Sequence, residues 1–413
     1  MKRRSLSIIT LVALFLLSAA ALRSRGDAQD VGDRTGIRPD APAYAIRGPY
    51  TAGARSISID ADGPLEATVW YPAVGEESGA EYSYVIKMDM LAGMTASAVG
   101  QAAVDAPADE SGGPYPLVIL SPGFAIGRAS YAWMGEHLST HGFIVIAPEH
   151  VEAADEALSG FWRAAITRPQ EVHSVLEYVD AETVEGGSLH GLVDAETVAV
   201  IGHSYGGYTS LVMGGARFDI DSMNALCESA RAEGDPVGAW LCDLVEPFVG
   251  DMAELSGLDS IPDGLWPARG DDRIDAIVPM AGDAYFFNAD GLAAVDVPVL
   301  AIGGTADTGT PYLWGAYPTY EHVSSDTKAR VAFEHAEHMV FASTCESLPF
   351  FAEIGFYTFC SDAVWDVDRV HDLTNHFTTA FLLSVLKGDE DAAAALAPEA
   401  VQFAGITYDA LGF

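Results

Sequence analysis

The chain has 413 residues, of which 49% are hydrophobic, and this composition suits one large α/β domain with insertions and a substantial core. It is strongly acidic, because 59 Asp and Glu residues outnumber 21 Lys and Arg residues and leave a net charge of -38. A surface this acidic repels nucleic acid and anionic membranes, so we expect neither as a partner. It favours neutral or cationic substrates.

The N-terminus has the pattern of an export signal. A basic start at residues 2–4 precedes an apolar run over residues 6–22, which includes the small residues 18–21 near its end. This pattern predicts a signal peptide within residues 1–28 and a secreted or periplasmic protein. An uncleaved anchor is the alternative, but the run is barely long enough to span a bilayer, so we expect no stable membrane insertion.

The segment after the signal peptide is predicted to be irregular and then extended. Residues 29–43 are rich in Gly, Asp and Arg without periodicity, which predicts a flexible leader. Residues 54–60 and 65–71 are strand-like and flank an Asp-Gly-Pro turn, so we expect an antiparallel hairpin at one edge of a sheet. Residues 82–104 are compatible with a short, irregular helix.

From residue 117 onward, apolar strands alternate with helical segments. Continuous apolar strands between helices predict a mostly parallel central sheet with helices on both faces, and therefore an α/β fold. We expect one main domain over residues 44–387. The predicted strands cover residues 117–120, 142–147, 198–201, 274–280, 297–302 and 329–333.

Two segments fall outside this alternation. Residues 216–270 interrupt it and contain Cys227 and Cys242, so we expect an insertion that sits over the strand ends as a lid or cap. Residues 388–413 are rich in Ala and in acidic residues, and we expect them to form a poorly defined C-terminal tail.

The four cysteines predict two disulfides. An even count in an exported chain favours disulfides, and three pairings are possible. The first two cysteines are 15 residues apart, and so are the last two, which favours the pairs Cys227–Cys242 and Cys345–Cys360. Zinc binding is the alternative, but no pair has the short spacing that zinc sites use.

Residues 199–208 carry the strongest chemical signal. Apolar residues of strand character lead into Gly202-His-Ser-Tyr-Gly206, and residues that can form a helix follow. Glycine is needed at both ends of this motif because a side chain there would collide across a tight turn. The pattern predicts a nucleophile elbow, a sharp strand-to-helix turn that presents Ser204. A chance glycine-rich turn in another α/β protein is the alternative.

A serine nucleophile needs a histidine that takes its proton and a carboxylate that orients the histidine. In a sheet of this type, acid and histidine follow later strands in that order. Asp307, in a glycine-rich turn after residues 297–302, is the predicted acid, and Asp283 is the alternative. His338 is the predicted base because the apolar residues after it can fix its position, and His335 is the alternative.

Two backbone N–H groups are predicted to form an oxyanion hole, the pair of donors that stabilises negative charge on the reacting carbonyl oxygen. Tyr205, directly after the serine, supplies one. Phe124, in the turn Ser121-Pro-Gly-Phe124 that ends the first parallel strand, supplies the other. We expect His203 to pack beneath the elbow, and His150 to line the pocket or to lie in a solvated loop.

Taken together, these motifs resemble those of the α/β-hydrolase superfamily, over roughly residues 45–387. More narrowly, the chain is similar to secreted bacterial esterases of the predicted dienelactone hydrolase and platelet-activating-factor acetylhydrolase-like group. Its Ser-Pro-Gly-Phe turn, Trp133 and His141-Gly-Phe143 also resemble bacterial cutinases and polyester hydrolases. The superfamily motifs are Ser121-Pro-Gly-Phe124, Gly142-Phe-Ile-Val145, Gly202-His-Ser-Tyr-Gly-Gly207, Gly304-Thr-Ala-Asp307 and His338.

The chain departs from two of these relatives. Dienelactone hydrolases use a cysteine nucleophile, whereas this chain has Ser204. In platelet-activating-factor acetylhydrolases the acid follows an earlier strand, at a position near Asp283, which keeps that residue open as the acid.

The sequence therefore predicts a serine carboxylic-ester hydrolase that acts on small neutral esters through an acyl-enzyme, without a metal or an organic cofactor. An acetylhydrolase of phospholipid-like substrates and a cutinase-like polyester hydrolase are the alternatives within the class. The acidic surface disfavours anionic phospholipid, and the insertion after Ala216 disfavours the open cleft that a polymer needs. A non-catalytic binding module is the alternative outside the class, and the complete set of motifs disfavours it.

Overall fold

A computed structural model of the protein describes residues 36–61, 63–85, 94–150 and 160–413, with the backbone alone for residues 83–85. The predicted signal peptide, residues 1–28, lies outside the described residues. In the part of the chain that is described, no helix combines the length and the apolar character needed to cross a membrane.

Twelve strands lie within the described residues: β1 (Thr51–Ala61), β2 (Gly63–Ala73), β3 (Ala80–Val85), β4 (Thr95–Gly100), β5 (Ala103–Val104), β6 (Tyr115–Ser121), β7 (Ile144–Pro148), β8 (Val193–His203), β9 (Ile274–Met280), β10 (Val299–Gly304), β11 (Lys328–Phe333) and β12 (Ile406–Leu411). Ten of them form the central sheet, in the order β12-β11-β10-β9-β8-β6-β7-β2-β1-β5, and β3 and β4 form a separate two-stranded sheet. Strands β6 to β11 run parallel to one another, while β2 pairs with β7, and β12 with β11, antiparallel.

Helices connect these strands. The α-helices are α1 (Ala132–Thr140), α2 (Phe161–Thr183), α3 (Tyr205–Met213), α4 (Ile220–Glu233), α5 (Pro236–Asp243), α6 (Val249–Leu255), α7 (Ala289–Leu292), α8 (Ala316–His322), α9 (Pro349–Glu353), α10 (Val367–Lys387) and α11 (Glu390–Ala395). Short 3-10 helices lie at Ala43–Ala45, Arg128–Tyr131, Glu246–Phe248, Tyr312–Trp314, His338–Phe341 and Tyr357–Phe359.

Strand β8 shows why the parallel strands read as unbroken apolar runs. Successive side chains of a strand point to opposite faces of the sheet. Val198 and Val200 pack on one face with α2 and α3, whereas Ala199 and Ile201 pack on the other face with α1 and α10. All four are fully buried. The predicted mostly parallel sheet with helices on both faces is therefore confirmed.

Helix α10 illustrates how local sequence sets the bounds of an element. Asp366 caps its N-terminus by accepting hydrogen bonds from the backbone N–H groups of Asp368 and Arg369. Gly388 ends it in the left-handed conformation, with φ of 66°. Between the caps, apolar residues at helical spacing face the sheet and are buried: Val370, Leu373, Phe377 and Phe381.

The N-terminal hairpin and both disulfides match the prediction. Strands β1 and β2 pair antiparallel, with Ala61 opposite Gly63, and the short strand β5 lies beyond β1 at the edge. Cys227–Cys242 joins α4 to α5, and Cys345–Cys360 closes a loop that contains α9. The pairing of adjacent cysteines is therefore confirmed.

The helix predicted within residues 82–104 is wrong for the described part of that segment. Strands β3 and β4 instead pair antiparallel, with residues 86–93 outside the described part of the chain. Ala96 and Ala98 are buried and pack with Leu348 and Phe351, while Val99 is exposed. This alternation of buried and exposed side chains is the period of a strand.

Residues 388–413 are ordered, where the sequence predicts a poorly defined tail. They form α11 and β12, and β12 pairs along the whole of β11. Tyr408 stacks on Phe377 with ring centroids 5.6 Å apart, and its hydroxyl donates to the carbonyl of Leu396. Without β12, the edge of β11 would leave its backbone N–H and C=O groups unpaired.

Part of the predicted flexible leader is also fixed in place, because the backbone N–H groups of Ile37 and Arg38 donate to the carboxylate of Asp372.

The insertion within residues 216–270 packs closely on the domain. Its residues Met223 and Leu241 are buried in the same hydrophobic cluster as α2 and α3. Trp162 of α2 stacks on Phe248 of the insertion, with ring centroids 5.4 Å apart and an interplanar angle of 12°. The segment is therefore a disulfide-closed helical layer on one face, and its role as a lid remains a prediction.

Candidate active site

Ser204 lies on a sharp turn between β8 and α3. Its backbone has φ of 58° and ψ of -122°, a conformation that costs on the order of 1–3 kcal/mol for a residue with a side chain. Its N–H donates to the carbonyl of Met280 at 2.8 Å, which anchors the turn to β9. A Cβ at Gly202 would lie 2.1 Å from the carbonyl oxygen of Gly206, so the predicted glycine requirement is met here.

His338 lies between Ser204 and Asp307. Its Nε2 is 2.8 Å from Ser204 Oγ, and its Nδ1 is 2.8 Å from Asp307 Oδ2. The other carboxylate oxygen of Asp307 accepts hydrogen bonds from the N–H groups of Gly309 and Thr310. Asp307 follows β10 and His338 follows β11, so the three residues meet at the carboxyl ends of parallel strands. This arrangement can carry a proton away from a serine hydroxyl.

The electrostatics of His338 fit such a role. Burial of its imidazole lowers the pKa, but the charge and hydrogen bond of Asp307, together with the charges of Asp283 and Glu337, outweigh burial, and the pKa lies above the ordinary 6.5. The Asp307 carboxylate therefore stabilises the imidazolium that would form during a reaction.

The two alternative residues lie elsewhere. Asp283 is buried, and its Oδ1 accepts a hydrogen bond from the hydroxyl of Thr310 at 3.1 Å. Burial raises the pKa of Asp283 to about 7. His335 is exposed, and its backbone N–H donates to Thr305 Oγ1. The structure thus brings Asp307 and His338, and not these alternatives, into hydrogen-bond contact with each other.

The two predicted oxyanion donors flank Ser204. Tyr205 is the first residue of α3, so its N–H has no partner within the helix. The turn that carries Phe124 passes close by, since a Cβ at Gly123 would lie 3.4 Å from Ser204 Cβ. The ring of Phe124 packs against Phe161 and Tyr205. This spacing is compatible with a hole formed by the N–H groups of Phe124 and Tyr205.

A chain of hydrogen bonds beneath the elbow links the Phe124 turn to His338. The N–H of Gly123 donates to Tyr131 Oη at 3.1 Å, and that hydroxyl lies 2.7 Å from His203 Nδ1. His203 Nε2 lies 3.0 Å from the carbonyl oxygen of His338 and donates to it. Burial lowers the pKa of His203 well below its ordinary value, so the ring stays neutral and Nδ1 accepts from the tyrosine.

Sequence reasoning found His203 by its position next to the serine but missed Tyr131, which no motif marks. His150 does not lie in a solvated loop, because it is buried and its Nε2 is 2.8 Å from Ser121 Oγ. The described residues contain no group of three or more His, Cys, Asp or Glu side chains that could hold a metal ion.

Comparison with known proteins finds similarity to ester hydrolases. A family model described as PET hydrolase-like matches residues 78–228. A cutinase of Thermobifida fusca (strain YX) is 27% identical over 218 residues, which is 52% of this chain and 57% of the relative. Cutinase est1 of Thermobifida alba is 31% identical over 106 residues, 26% of this chain and 32% of the relative. A bis(hydroxyethyl) terephthalate hydrolase of Streptomyces coelicolor is 26% identical over 149 residues, 36% of this chain and 43% of the relative.

The chain has an α/β-hydrolase fold with cutinase-like features. The match covers from about a third to somewhat more than half of these relatives' lengths. Within this fold, the segment matched by the family model includes Phe124, Ser204 and Tyr205 but ends before Asp307 and His338. The family-model match therefore covers the predicted nucleophile and oxyanion residues, whereas the predicted acid and base lie outside it and are placed beside Ser204 by the geometry alone.

Proposed function

We propose that the protein is a secreted serine carboxylic-ester hydrolase that acts on small neutral esters. The observation that supports this most directly is the position of His338, whose two ring nitrogens lie 2.8 Å from Ser204 Oγ and from Asp307 Oδ2. Cutinase and terephthalate-ester hydrolase relatives support the same reaction class.

The first half of the reaction forms an acyl-enzyme. Ser204 Oγ attacks the ester carbonyl carbon while His338 Nε2 takes the hydroxyl proton, and Asp307 stabilises the resulting imidazolium. The N–H groups of Phe124 and Tyr205 donate to the oxyanion, each contributing about 3–4 kcal/mol to transition-state stability. The C–O bond to the alcohol then breaks, and the alcohol leaves with the proton from His338.

The second half releases the acid. Water attacks the acyl carbon and gives a proton to His338, a second tetrahedral intermediate forms in the same hole, and Ser204 recovers its proton as it leaves. None of these steps requires a group beyond the named residues. The strained backbone of Ser204 keeps the hydroxyl at the end of the sheet throughout.

Two features support the substrate class. The net charge of -38 disfavours anionic esters, which include anionic phospholipids. A lid formed by residues 216–270, as the sequence predicts, would narrow the space over the strand ends and so favour small esters over long polymers. A second candidate is a cutinase-like hydrolase of polyester fragments, and the family match over residues 78–228 and the terephthalate-ester relative favour it.

The two disulfides support export of the protein, because disulfides persist in oxidising compartments outside the cytosol.

The test compares the wild-type protein with Ser204→Ala and with Ser188→Ala, a matched change at an exposed serine. We expect wild type and Ser188→Ala to react with a fluorophosphonate probe and to hydrolyse p-nitrophenyl esters, and Ser204→Ala to do neither. Acyl chains of two to eight carbons, bis(hydroxyethyl) terephthalate and a polyester film separate the two candidates. Hydrolysis by Ser204→Ala at the wild-type rate would overturn the proposal.

A further inference from the structure

We propose that Ser121, His150, Glu171 and Arg168 are positioning residues that hold the Phe124 N–H in the oxyanion hole. This inference rests on the proposed function, because it assigns a role to Phe124 in that reaction. None of the four residues lies in the path of the proton between Ser204 and Asp307. Their contacts all lead to the turn that joins β6 to Phe124.

Three of the residues form a buried relay. Ser121 Oγ lies 2.8 Å from His150 Nε2, and His150 Nδ1 lies 2.6 Å from Glu171 Oε2. With Nδ1–H donating to the carboxylate, Nε2 accepts the hydrogen bond of the serine hydroxyl. The relay has the composition of a catalytic triad, but Ser121 has 0% of its surface exposed, His150 2% and Glu171 9%. Ser121 therefore cannot meet a substrate, and the relay fixes the end of β6 instead.

Arg168 holds the next two residues of the turn. Its Nη1 donates to the carbonyl of Pro122 at 2.5 Å, and its Nη2 donates to the carbonyl of Gly123 at 3.2 Å. The carbonyl of Gly123 and the N–H of Phe124 belong to one planar trans peptide, so they point in opposite directions. By holding that carbonyl, Arg168 directs the Phe124 N–H to the opposite side of the peptide, away from α2.

Helix α2 carries both Arg168 and Glu171, the carboxylate end of the relay. Arg168 and Glu171 are three residues apart on α2, so both side chains leave the same face of the helix. The backbone they hold also contacts the elbow, since a Cβ at Gly206 would lie 1.9 Å from the carbonyl oxygen of Ser121. A shift of Ser121 would therefore move the Phe124 turn relative to Tyr205, which supplies the second donor.

The test uses Ser121→Ala, Glu171→Gln and Arg168→Met, with Glu177→Gln and Arg163→Met as controls at exposed positions of the same helix. Three quantities are measured: kcat and KM for a neutral p-nitrophenyl ester, inhibition by a trifluoromethyl ketone, and the thermal midpoint Tm. The ketone reports on the hole because addition of the Ser204 oxygen to it leaves an oxyanion there.

For the three test variants we expect kcat to fall about tenfold to a hundredfold, while KM changes less than about threefold. Loss of a whole oxyanion donor costs about 10²- to 10³-fold, and these variants displace the Phe124 N–H rather than remove it. The ketone inhibition constant should rise by the same factor as kcat falls. Arg168→Lys, which keeps one donor, should be intermediate, and both controls should match wild type. Since Arg168→Met can unfold the chain, Ser121→Ala, which removes a single oxygen, decides the result.

Two outcomes would overturn the assignment alone. One is an active wild type whose test variants retain both kcat and ketone affinity. The other is a fall in Tm and kcat with unchanged ketone affinity, which would indicate a structural role only. An inert wild type that the fluorophosphonate probe does not label would instead overturn the proposed function, and this assignment with it.

Discussion

Asp283 is the buried carboxyl group whose removal tests the assignment of the acid most sharply. Its carboxyl is 2% exposed, and burial raises its pKa from 3.8 to about 7, outweighing the opposite effects of the His338 charge and the Thr310 hydrogen bond. The folded protein therefore keeps Asp283 protonated well above the pH at which the unfolded chain ionises it. Asp283→Asn removes this titration while retaining a neutral group of similar shape.

The size of the effect follows from proton linkage. A group whose folded pKa is raised contributes stability that is complete below its unfolded pKa, near 3.8, and is lost as the pH rises through about 7. Between pH 5 and pH 8 the loss amounts to about 2–3 kcal/mol, at about 1.4 kcal/mol for each pKa unit. An amide at this position does not titrate, so the Asp283→Asn variant should gain that amount relative to wild type over the same interval.

The assay is urea unfolding of wild type and Asp283→Asn at pH 5 and pH 8 in the same salt, with the exposed residue change Asp296→Asn as a control. Parallel pH dependence in wild type and Asp283→Asn would refute the reasoning. Activity of the same variant identifies the acid. We expect kcat to stay within a few-fold of wild type, and a loss of about 10³- to 10⁴-fold would instead identify Asp283 as the residue that orients His338.

Four further predictions concern the triad and the insertion. Asp307→Asn should lower kcat by about 10³- to 10⁴-fold. In wild type kcat/KM should rise with pH through an apparent pKa above 6.5, since His338 must be neutral to act, and Asp307→Asn should shift that rise to lower pH. Gly309→Ala would bring a Cβ to 2.7 Å from His338 Cγ, so esterase assays should show a loss of at least about tenfold with an unchanged circular dichroism spectrum. Replacing Cys227 and Cys242 by serine should lower the free energy of unfolding by roughly 3 kcal/mol in urea titrations, because a 15-residue loop is released.

The order of elements along the chain was predictable because its signals are local. Apolar runs mark β6 to β11, and the tight glycine spacing around Ser204 marks the turn from β8 to α3. The choice between Asp307 and Asp283 was not settled by sequence, because both follow a strand of the same sheet. The two N–H groups that orient Asp307, from Gly309 and Thr310, became visible only in three dimensions.

The buried polar contacts were beyond the reach of sequence reasoning for a different reason. Arg168 and Glu171 lie on a helix, where charged residues normally indicate a solvent-facing position. Their partners Pro122, Gly123 and His150 lie well over a dozen residues earlier in the chain, and no local pattern relates them. Pairing of β12 with β11 is likewise a long-range contact, so an alanine-rich, acidic segment gave no sign of a strand.

The two disulfides close separate loops that do not overlap in the sequence, because Cys227 pairs with Cys242 before Cys345 and Cys360 occur. A chain that enters an oxidising compartment N-terminus first would present Cys227 and Cys242 together while Cys345 and Cys360 are still to come. Order of arrival would then select one pairing out of three, with no reshuffling by an isomerase. A reduced chain refolded from denaturant has all four thiols available at once and lacks that advantage.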